Sequence, residues 1–344
     1  MVTKTYWQSR FFRFIGRILA AIWFVIACLF SLWALLAFWF QLPFGKAGFF
    51  VVAVLWVILT IIGLFYDRKK PWRGRAILPV MFIGVGIWWS SIKPTLDRDW
   101  APELARMVTA EFDRHDRNIV RIRNIRDFDW ITPDRAKPAW KDETYNIDDI
   151  CALDVYLSYW MGPYIAHTLV GFTFKDGRHL VFSAEIRRTK EQNFSAIGGF
   201  FKEFELIIIA APEEDIIKLR TDIRRENVYR YSIRVGQDKM RALFVDYLEN
   251  ANELAHKARF YNTLTTNCTT VVFNMARILY PGLPPDWRII FSGQLPSYLY
   301  KLKLIETQKS LATIVDEAHI APQNNGIRSR YSVEIRRPTR FNGN

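Results

Sequence analysis

The sequence predicts an α+β domain that follows three membrane-spanning helices. Three features carry this prediction: three uncharged apolar runs near the N-terminus, a strong β-hairpin signal near the middle of the chain, and a helix that begins at a cysteine. The expected organisation is a membrane anchor over residues 1–93, a linker with a short helix over 94–118, the α+β domain over 119–310, and a polar, basic tail over 311–344.

The three apolar runs are Ile18–Phe40, Ala47–Tyr66 and Ala76–Ile92. A helix needs roughly 17–25 apolar residues to cross the hydrocarbon core of a bilayer, and each run falls within that range. A removable signal peptide would have one short apolar core and a small-residue cleavage site, which three successive runs do not fit. We therefore expect three membrane helices.

Lysines and arginines predict the orientation of these helices. Four precede the first run and five lie between the second and third runs, whereas the connection between the first and second runs has only Lys46. By the positive-inside rule, the N-terminus and the second connection are cytoplasmic. Three crossings then place everything after Lys93 outside the cytoplasm. We expect a bacterial inner-membrane protein with a periplasmic C-terminal domain.

The basic character of the chain mostly reflects this topology. The formal net charge is +13, of which residues 1–93 contribute +10, from eleven Lys and Arg and one acid, and the remaining residues contribute +3. A strongly basic domain would suggest nucleic-acid binding. Because the excess charge flanks the apolar runs, we reject that interpretation.

The clearest hairpin signal joins Ile165–Phe174 to His179–Arg187 through Lys175–Arg178, which contains Asp-Gly. The even-numbered positions of both runs are mostly apolar and must share one face, which favours a three-residue loop with a bulged glycine. In that register Glu185 lies diagonally across from His167, within reach of a long side chain. His179, at the turn, is expected to be solvated.

The remaining elements are assigned from periodicity and turn signals. They are a short amphipathic helix over Leu104–Phe112, a strand over Ile119–Ile125, a loop over Asp127–Asn146, a strand over Ile150–Tyr159, a loop over Ser195–Phe201 that is either a lid or a plain connection, and a long helix over Gln237–Ala258 whose apolar stripe is core. The segment after Pro322 is expected to be disordered or bound to the membrane surface.

The stretch around Cys268 carries the strongest chemical signal. Asn267 or Thr266 can cap a helix that runs to Leu279 and ends before Pro281 and Gly282. A thiol in the first turn lies at the positive end of the helix dipole, and unpaired N–H groups point toward it. This position suits a nucleophile, but a small buried cysteine would look the same.

The other cysteines leave one alternative open. Cys28 lies within the first apolar run, so only Cys151 and Cys268 could form a disulfide, and such a bond would remove the nucleophile. Cys151 begins an apolar strand and is expected to be buried. The sequence has no paired-cysteine zinc motif and no glycine-rich phosphate loop, so we expect neither a metal nor a cofactor.

Several short motifs together resemble the Lnb N-terminal periplasmic domain family over roughly residues 119–300. They are Ser158-Tyr159-Trp160, Ala166-His167-Thr168, Ser183-Ala184-Glu185-Ile186-Arg187, Ile197-Gly198-Gly199-Phe200-Phe201, Leu219-Arg220-Thr221 and the run from Tyr261 to Thr269. Members of that family are implicated in moving an acyl chain from a phospholipid to the amino group of a lipoprotein through a thioester. Their membrane spans follow the domain, whereas here they precede it, which leaves the acyl acceptor open.

The resemblance implies a residue-by-residue assignment. Cys268 would be the nucleophile, His167 the base and Glu185 the group that orients it, and Asn267, Tyr261 and Tyr159 would contact the substrate or its oxyanion. A histidine on a strand that precedes a cysteine at a helix start is the permuted papain-like arrangement. Lecithin:retinol acyltransferase-type and NlpC/P60-type domains share it.

Three functions remain at this point. The first is a thiol acyltransferase of the bacterial envelope that acts on membrane lipid or lipoprotein. The second is a cysteine amidase of the cell wall, which an open polar cleft would favour over an apolar groove. The third is a non-catalytic envelope scaffold or maturation partner, which burial of Cys268 away from His167, or a Cys151–Cys268 disulfide, would favour.

Overall fold

The computed structural model describes residues 2–43, 45–69, 71–279, 282–323 and 327–337. The chain divides into two compact units. One comprises Met1–Pro94 with Phe201–Glu203, and the other comprises Thr95–Phe200 with Phe204–Asn344.

The first unit contains three helices: α1 (Val2–Gln41), α2 (Gly45–Lys69) and α3 (Pro71–Ser91). Two stretches, Arg13–Gln41 and Gly45–Tyr66, are long and apolar enough to cross a membrane, whereas Ala76–Ser91 is a shorter apolar helix. Two spanning helices are therefore supported by length and composition. Several basic side chains that predict the orientation, including Lys4, Arg10 and those at 68–70, lie outside the described side chains.

The second unit mixes helix and sheet, as predicted. Its strands are β1 (Thr109–Phe112), β2 (Ile119–Arg126), β3 (Asp129–Thr132), β4 (Arg135–Lys137), β5 (Trp140–Asn146), β6 (Ile150–Met161), β7 (Ile165–Phe174), β8 (His179–Arg187), β9 (Glu205–Ala211), β10 (Asn227–Ser232) and β11 (His319–Ile320). Its helices are α4 (Glu213–Lys218), α5 (Gln237–His256), α6 (Cys268–Leu279), α7 (Leu295–Lys301), α8 (Leu311–Ala318) and α9 (Tyr331–Glu334).

The main sheet has the strand order β11-β10-β6-β7-β8-β9. One face, which carries the even-numbered residues of β7 and β8, packs on α5 and α6. There Phe172 and Phe182 meet Phe244 edge to face at centroid distances of 5.0 and 5.7 Å. The opposite face packs on α4 and α9 through Leu169 and Val181. Both faces of the hairpin are therefore buried.

The β7–β8 hairpin has the predicted register. The Phe174 N–H donates to Arg178 O at 3.0 Å, leaving three residues in the loop, and Gly177 has a φ of 84°. Leu169 pairs with Ser183 and Val170 with Phe182, so even positions face even positions. This positive φ is accessible to glycine without a Cβ penalty, which explains the Asp-Gly signal.

Two predictions upstream of the hairpin are wrong. Leu104–Phe112 is not a helix, because Thr109–Phe112 pairs with β2 and only Pro102–Leu104 forms a helical turn. Residues 127–146 are not a loop, because β5 pairs with β2 as the third strand of a small sheet. In both segments tertiary strand pairing outweighs local propensity.

Cys151 is exposed rather than buried. The ladder between β6 and β7 shifts register between Ile150 and Ala152, so Cys151 falls at a bulge, and its thiol contacts the Thr173 carbonyl at 3.4 Å. A bulge turns one side chain out of the alternation that sequence reading assumes. Cys28, Cys151 and Cys268 are all free.

The segment after Pro322 is folded over residues 327–337 rather than disordered. Tyr331 is 1% exposed and its hydroxyl lies 2.7 Å from Thr221 Oγ1. Arg336 donates to both carboxylate oxygens of Glu213, at 2.6 and 2.7 Å. These buried contacts outweigh the polar composition of the segment. Residues 324–326 and 338–344 of the predicted tail lie outside the described residues.

Candidate active site

Cys268 is the first residue of α6, and Asn267 is its cap, as predicted. Asn267 Oδ1 accepts from the N–H groups of Thr269 and Thr270 at 2.9 and 2.8 Å, and Thr270 Oγ1 accepts from the Asn267 N–H at 2.8 Å. This reciprocal pattern fixes the start of the helix. The thiol therefore lies at the positive end of the helix dipole, where a thiolate is favoured.

The main sheet opens where the thiol lies. The ladder between β7 and β8 ends at the pair of Leu169 and Ser183, while β7 continues along β6 and β8 continues along β9. Beyond that pair the Thr168 N–H hydrogen-bonds to Cys268 and lowers the pKa of its thiol. Thr168 Oγ1 also lies 2.8 Å from Thr269 Oγ1. The separation of the two strands thus makes room for the sulfur.

His167 and Glu185 lie on the two separating strands. His167 Nε2 is 3.1 Å from Glu185 Oε1 and 2.7 Å from Ser183 Oγ, and Ser183 donates to the same carboxylate oxygen at 2.8 Å. Arg220 donates to that oxygen as well, at 2.8 Å. The register sets His167 opposite Glu185 rather than diagonal to it, since Leu169 pairs with Ser183.

The imidazole of His167 also makes a side-chain hydrogen bond with the Cys268 thiol. Since Nε2 faces Ser183 and Glu185, Nδ1 is the ring nitrogen left for the sulfur. Cys268 is 9% exposed, so the pair is largely shielded from water. Neither feature that would favour a scaffold is present, because Cys268 contacts His167 and both cysteines of the domain are free.

The charges of the site support a thiolate–imidazolium pair. Burial opposes charge on His167, but the Glu185 carboxylate and Cys268 outweigh it and raise the His167 pKa to about 9. Burial would likewise raise the pKa of the Cys268 thiol, but His167 and the Thr168 N–H lower it. The Glu185 pKa is held well below its usual range, because His167 and Arg220 outweigh the effect of its burial.

The three further predicted residues lie in different surroundings. The side chain of Asn267 is occupied, because its oxygen caps α6 and its amide donates to the Thr263 carbonyl at 2.8 Å. Tyr261 is near the site, where burial first and then Cys268 and Glu185 raise its pKa. Tyr159 donates to the Gly293 carbonyl at 2.7 Å and lines a separate cleft.

Sequence reasoning assigned no role to Ser183, Arg220 or Tyr247. Ser183 and Arg220 belong to the motifs that carry the family resemblance, and for Ser183 the signal that could have found it is a polar residue between two apolar neighbours, Phe182 and Ala184. Tyr247 is one of the apolar-stripe positions of α5. Its hydroxyl is buried without a hydrogen-bond partner among the described residues, and Cys268 contributes to its raised pKa, after burial and Asp246.

Two cavities lie beside the site, and neither is lined by Cys268 or His167. A cleft of about 840 Å³ is lined by aromatic and charged residues that include Trp160, Arg224 and Glu226. Glu226 accepts a hydrogen bond from Ser158, which pairs with His167 across β6 and β7. An almost wholly apolar cavity of about 110 Å³ begins at Thr269, next to Cys268. Among the described residues no cluster of three or more His, Cys, Asp or Glu could hold a metal ion.

The site is therefore a cysteine–histidine pair at a helix start, supported by a carboxylate and an arginine. The family model of the Lnb N-terminal periplasmic domain matches residues 136–293, which include Cys268, His167, Glu185 and Arg220. The match covers just under half of the chain, confirms the resemblance seen in the motifs, and implies a periplasmic, envelope-associated protein. No curated protein and no solved structure matches the chain.

Proposed function

We propose that this protein is a membrane-anchored periplasmic acyltransferase that carries the acyl group on Cys268 as a thioester. Membrane lipid is the proposed acyl donor, and the amino group of a lipoprotein is the proposed acceptor. The observation that carries the proposal is the continuous set of contacts from Arg220 through Glu185 and His167 to Cys268. A nucleophile, a base and a group that orients the base are the parts that acyl transfer needs.

In the first half-reaction, the Cys268 thiolate attacks the carbonyl carbon of a lipid ester. The resulting tetrahedral intermediate collapses as its bond to the lipid oxygen breaks, and protonated His167 gives its proton to that oxygen. The products are the Cys268 thioester, a lysolipid and neutral His167. Burial of the site keeps water from the thioester.

In the second half-reaction, the acceptor amine attacks the thioester carbonyl carbon and neutral His167 takes the proton that the amine loses. The carbon–sulfur bond breaks, the acyl group stays on the amine as an amide, and the thiolate–imidazolium pair is restored. Glu185 holds the ring of His167 in position and stabilises its positive charge in both half-reactions.

The oxyanion needs hydrogen-bond donors, and two kinds are at hand. The N–H groups of Thr269 and Thr270 donate to the Asn267 cap. The N–H of Cys268, by contrast, has no protein acceptor among the described residues. The hydroxyls of Tyr261 and Tyr247 have raised pKa values, so both remain protonated donors. Asn267 is replaced in this role, because its side chain is committed to the cap and to Thr263.

The number of membrane crossings, their orientation and the arrangement of the domain are part of the same proposal. We infer three crossings of the inner membrane, with the N-terminus in the cytoplasm, and a permuted papain-like arrangement of the domain. Reporter fusions that are active only in the cytoplasm or only in the periplasm, placed after residue 43, within residues 68–75 and after residue 93, test the topology. A periplasmic signal after 43, a cytoplasmic signal from a fusion within 68–75, and a periplasmic signal after 93 are expected.

The proposal is tested by trapping the acyl-enzyme. Full-length protein in phospholipid vesicles is quenched with acid, and its intact mass is measured. A mass increase equal to one acyl chain, removed by neutral hydroxylamine, is expected for the wild type and for Cys151→Ser. Cys268→Ser should show no hydroxylamine-sensitive adduct. Acylation that persists in Cys268→Ser, or that also disappears in Cys151→Ser, would contradict the assignment.

The acceptor is tested separately by mass analysis of lipoproteins from cells that carry the wild type, Cys268→Ser or a deletion. Loss of N-acylated lipoprotein in both altered strains is expected. Unchanged lipoproteins together with altered peptidoglycan peptides would support the second candidate, a cell-wall amidase. The polar and charged cleft near Ser158 favours that candidate, whereas the apolar cavity at Thr269 favours acyl transfer.

A further inference from the structure

Exposed aromatic and aliphatic side chains concentrate on four loops of the domain. Six of these residues, which we call the apolar rim, are Trp160, Tyr164, Phe194, Ile197, Trp287 and Phe291. Tyr164 and Trp287 are each 57% exposed. Elsewhere in the described part of the domain, exposed large apolar side chains are few and scattered, at Ile131, Ile327 and Val333. Large exposed apolar patches mark interaction surfaces.

Two of the four loops are joined by a backbone hydrogen bond and close backbone packing. The β6–β7 turn and the loop before α7 meet where the Gly293 N–H donates to Tyr164 O at 2.9 Å. A Cβ at Gly293 would lie 2.3 Å from the Pro163 carbonyl oxygen, so only glycine permits this approach. The rings of Tyr164 and Phe291 extend the contact, with their centroids 6.5 Å apart.

The other two loops connect the rim to the nucleophile. Trp160 packs on Phe194 at a centroid distance of 5.1 Å, which joins the end of β6, next to the β6–β7 turn, to the loop over residues 194–200. Thr263, in the loop that leads into Cys268, donates to the Ala196 carbonyl at 2.8 Å. The absent Cβ of Gly199 leaves room for Thr263 Oγ1, which would otherwise lie 2.2 Å away. The rim is therefore a connected surface, joined through Ala196 and Thr263 to the loop that leads into Cys268.

We propose that the apolar rim docks on the surface of a lipid bilayer. Tryptophan and tyrosine favour the membrane interface, where an apolar ring and a polar edge are both satisfied. Arg224 and Arg225 line the cleft that Trp160 also lines, together with one acid, Glu226, which pairs with Arg224 at 3.8 Å, so the charged groups beside the aromatic ones are predominantly basic. This pairing suits the acyl region and the anionic headgroups of a bilayer. The apolar helices of the same chain provide a membrane for the rim to meet.

This inference deepens the proposed function, since a docked rim lets a lipid ester reach Cys268 without leaving the bilayer. It does not depend on catalysis, however, and is tested in protein that cannot react. In a background with Cys28, Cys151 and Cys268 changed to serine, single spin labels are placed at Tyr164→Cys and Phe291→Cys. The matched controls are Ile131→Cys and Val333→Cys, exposed apolar positions outside the rim.

The full-length protein is reconstituted in vesicles of phosphatidylethanolamine with phosphatidylglycerol. Collisions of each label with oxygen, which dissolves in lipid, are compared with collisions with a water-soluble nickel chelate. The rim labels should favour oxygen severalfold and the control labels should favour the chelate. Rim labels that behave like the controls overturn the proposal, and so does spin–spin coupling between rim labels, which would indicate a second copy of the chain.

A second measurement uses the wild-type protein and removes any doubt about the folding of the variants. A phospholipid with a photoreactive group near its glycerol is added to the vesicles, and the labelled peptides are identified after irradiation. Labelling of the peptides that contain Trp160, Phe194 or Phe291 supports the proposal, and labelling restricted to residues 2–93 overturns it. Docking without acyl transfer would leave the proposal standing and would count against the proposed function alone.

Discussion

The two ends of the β7–β8 hairpin each place a histidine beside a glutamate, and their protonation differs. At the open end, His167 lies 3.1 Å from Glu185, and its pKa rises to about 9 despite burial. At the closed end, His179 lies 4.0 Å from Glu213, and its pKa falls, because burial and the charges of Arg336 and Arg230 outweigh the carboxylate.

The difference lies in what else contacts each ring. Arg336 donates to His179 Nδ1 at 2.9 Å, so that nitrogen must be an unprotonated acceptor. His167 instead faces the Cys268 thiol, which is an acid. When the imidazole carries the proton and the sulfur is a thiolate, the two opposite charges stabilise each other. A glutamate neighbour therefore does not decide the charge of a histidine; the whole set of surrounding charges does. In the proposed mechanism the open end carries out the proton transfers, whereas the ion pairs at the closed end stabilise the fold.

The largest expected effect comes from exchanging the two histidines for glutamine. His167→Gln should slow acyl-enzyme formation by about 10²–10⁴-fold, since it removes both the proton carrier and the partner of the thiolate. His179→Gln should leave the rate within about twofold, because this ring has no part in the proposed proton transfers. Comparable loss of acylation in both variants, with both folded by circular dichroism, would abolish the distinction.

The closed end should respond to mutation through stability. Glu213→Gln removes the nearer of the two carboxylates that pair with Arg336, at 2.6 Å, and leaves Asp154 at 3.5 Å. Removing one member of a buried ion pair costs about 3–5 kcal/mol, and the remaining Asp154 places the expected loss at the lower end of that range. Denaturant unfolding of the domain in the detergent-solubilised protein measures the loss. The fraction that stays folded should acylate at the wild-type rate. A stable but inactive Glu213→Gln would show that the closed end also takes part in the reaction.

Glu185→Gln should move the basic limit of acylation. Reaction requires a thiolate and a protonated His167, so the rate falls as the pH rises through the His167 pKa of about 9. Without Glu185 that pKa falls toward its ordinary value of roughly 6.5, and at pH 8 the rate should drop about tenfold or more. The pH profile of single-turnover acylation tests this, and an unmoved basic limit would refute it.

The same substitution has a consequence for stability. A folded-state pKa above the unfolded value means that protonated His167 stabilises the fold. This contribution is complete below roughly pH 6.5 and is lost as the pH rises through about 9. In Glu185→Gln it should be lost at lower pH, which unfolding curves at several pH values would detect.

Ser183→Ala should have the smallest effect. The hydroxyl bridges His167 and Glu185, but the direct contact between them at 3.1 Å remains and keeps the charges paired, so the loss should be about that of one hydrogen bond, or roughly fivefold in rate. Thr173→Val is the matched control, because Thr173 lies 2.9 Å from His179 Nδ1. Acylation by this variant should not change, and a larger loss than in Ser183→Ala would argue against the assigned roles.

Local signals predicted the elements that depend on local physics. The Asp-Gly pair predicted the hairpin loop, and the spacing of apolar residues predicted α5. The apolar stripe of that helix is buried, and its residues are Met240, Leu243, Phe244, Tyr247, Leu248, Ala251 and Leu254. Where long-range pairing decides, prediction failed. Thr109–Phe112 is a strand because it pairs with β2. Tyr331 is buried because it packs against α4 and its hydroxyl hydrogen-bonds to Thr221.

The same division holds in the site. Cys268 and Asn267 are neighbours in sequence, so the capped helix start was predictable from a short motif. The hairpin pattern predicted that His167 and Glu185 are neighbours on one face, but it placed them diagonally, whereas the observed register places them opposite each other. Arg220, which donates to Glu185, and Tyr247, whose pKa Cys268 helps to raise, lie on helical segments distant in sequence, and periodicity does not reveal that their side chains face the site.

The open edge between β7 and β8 leaves the Thr168 amide with sulfur as its acceptor. A thiolate accepts this bond strongly and a thioester accepts it weakly, so the amide senses whether Cys268 is loaded. The Thr168 amide proton should therefore resonate upfield and exchange faster with solvent in the acylated protein. If Cys268 forms the proposed thioester, this backbone amide reports its formation one residue from His167.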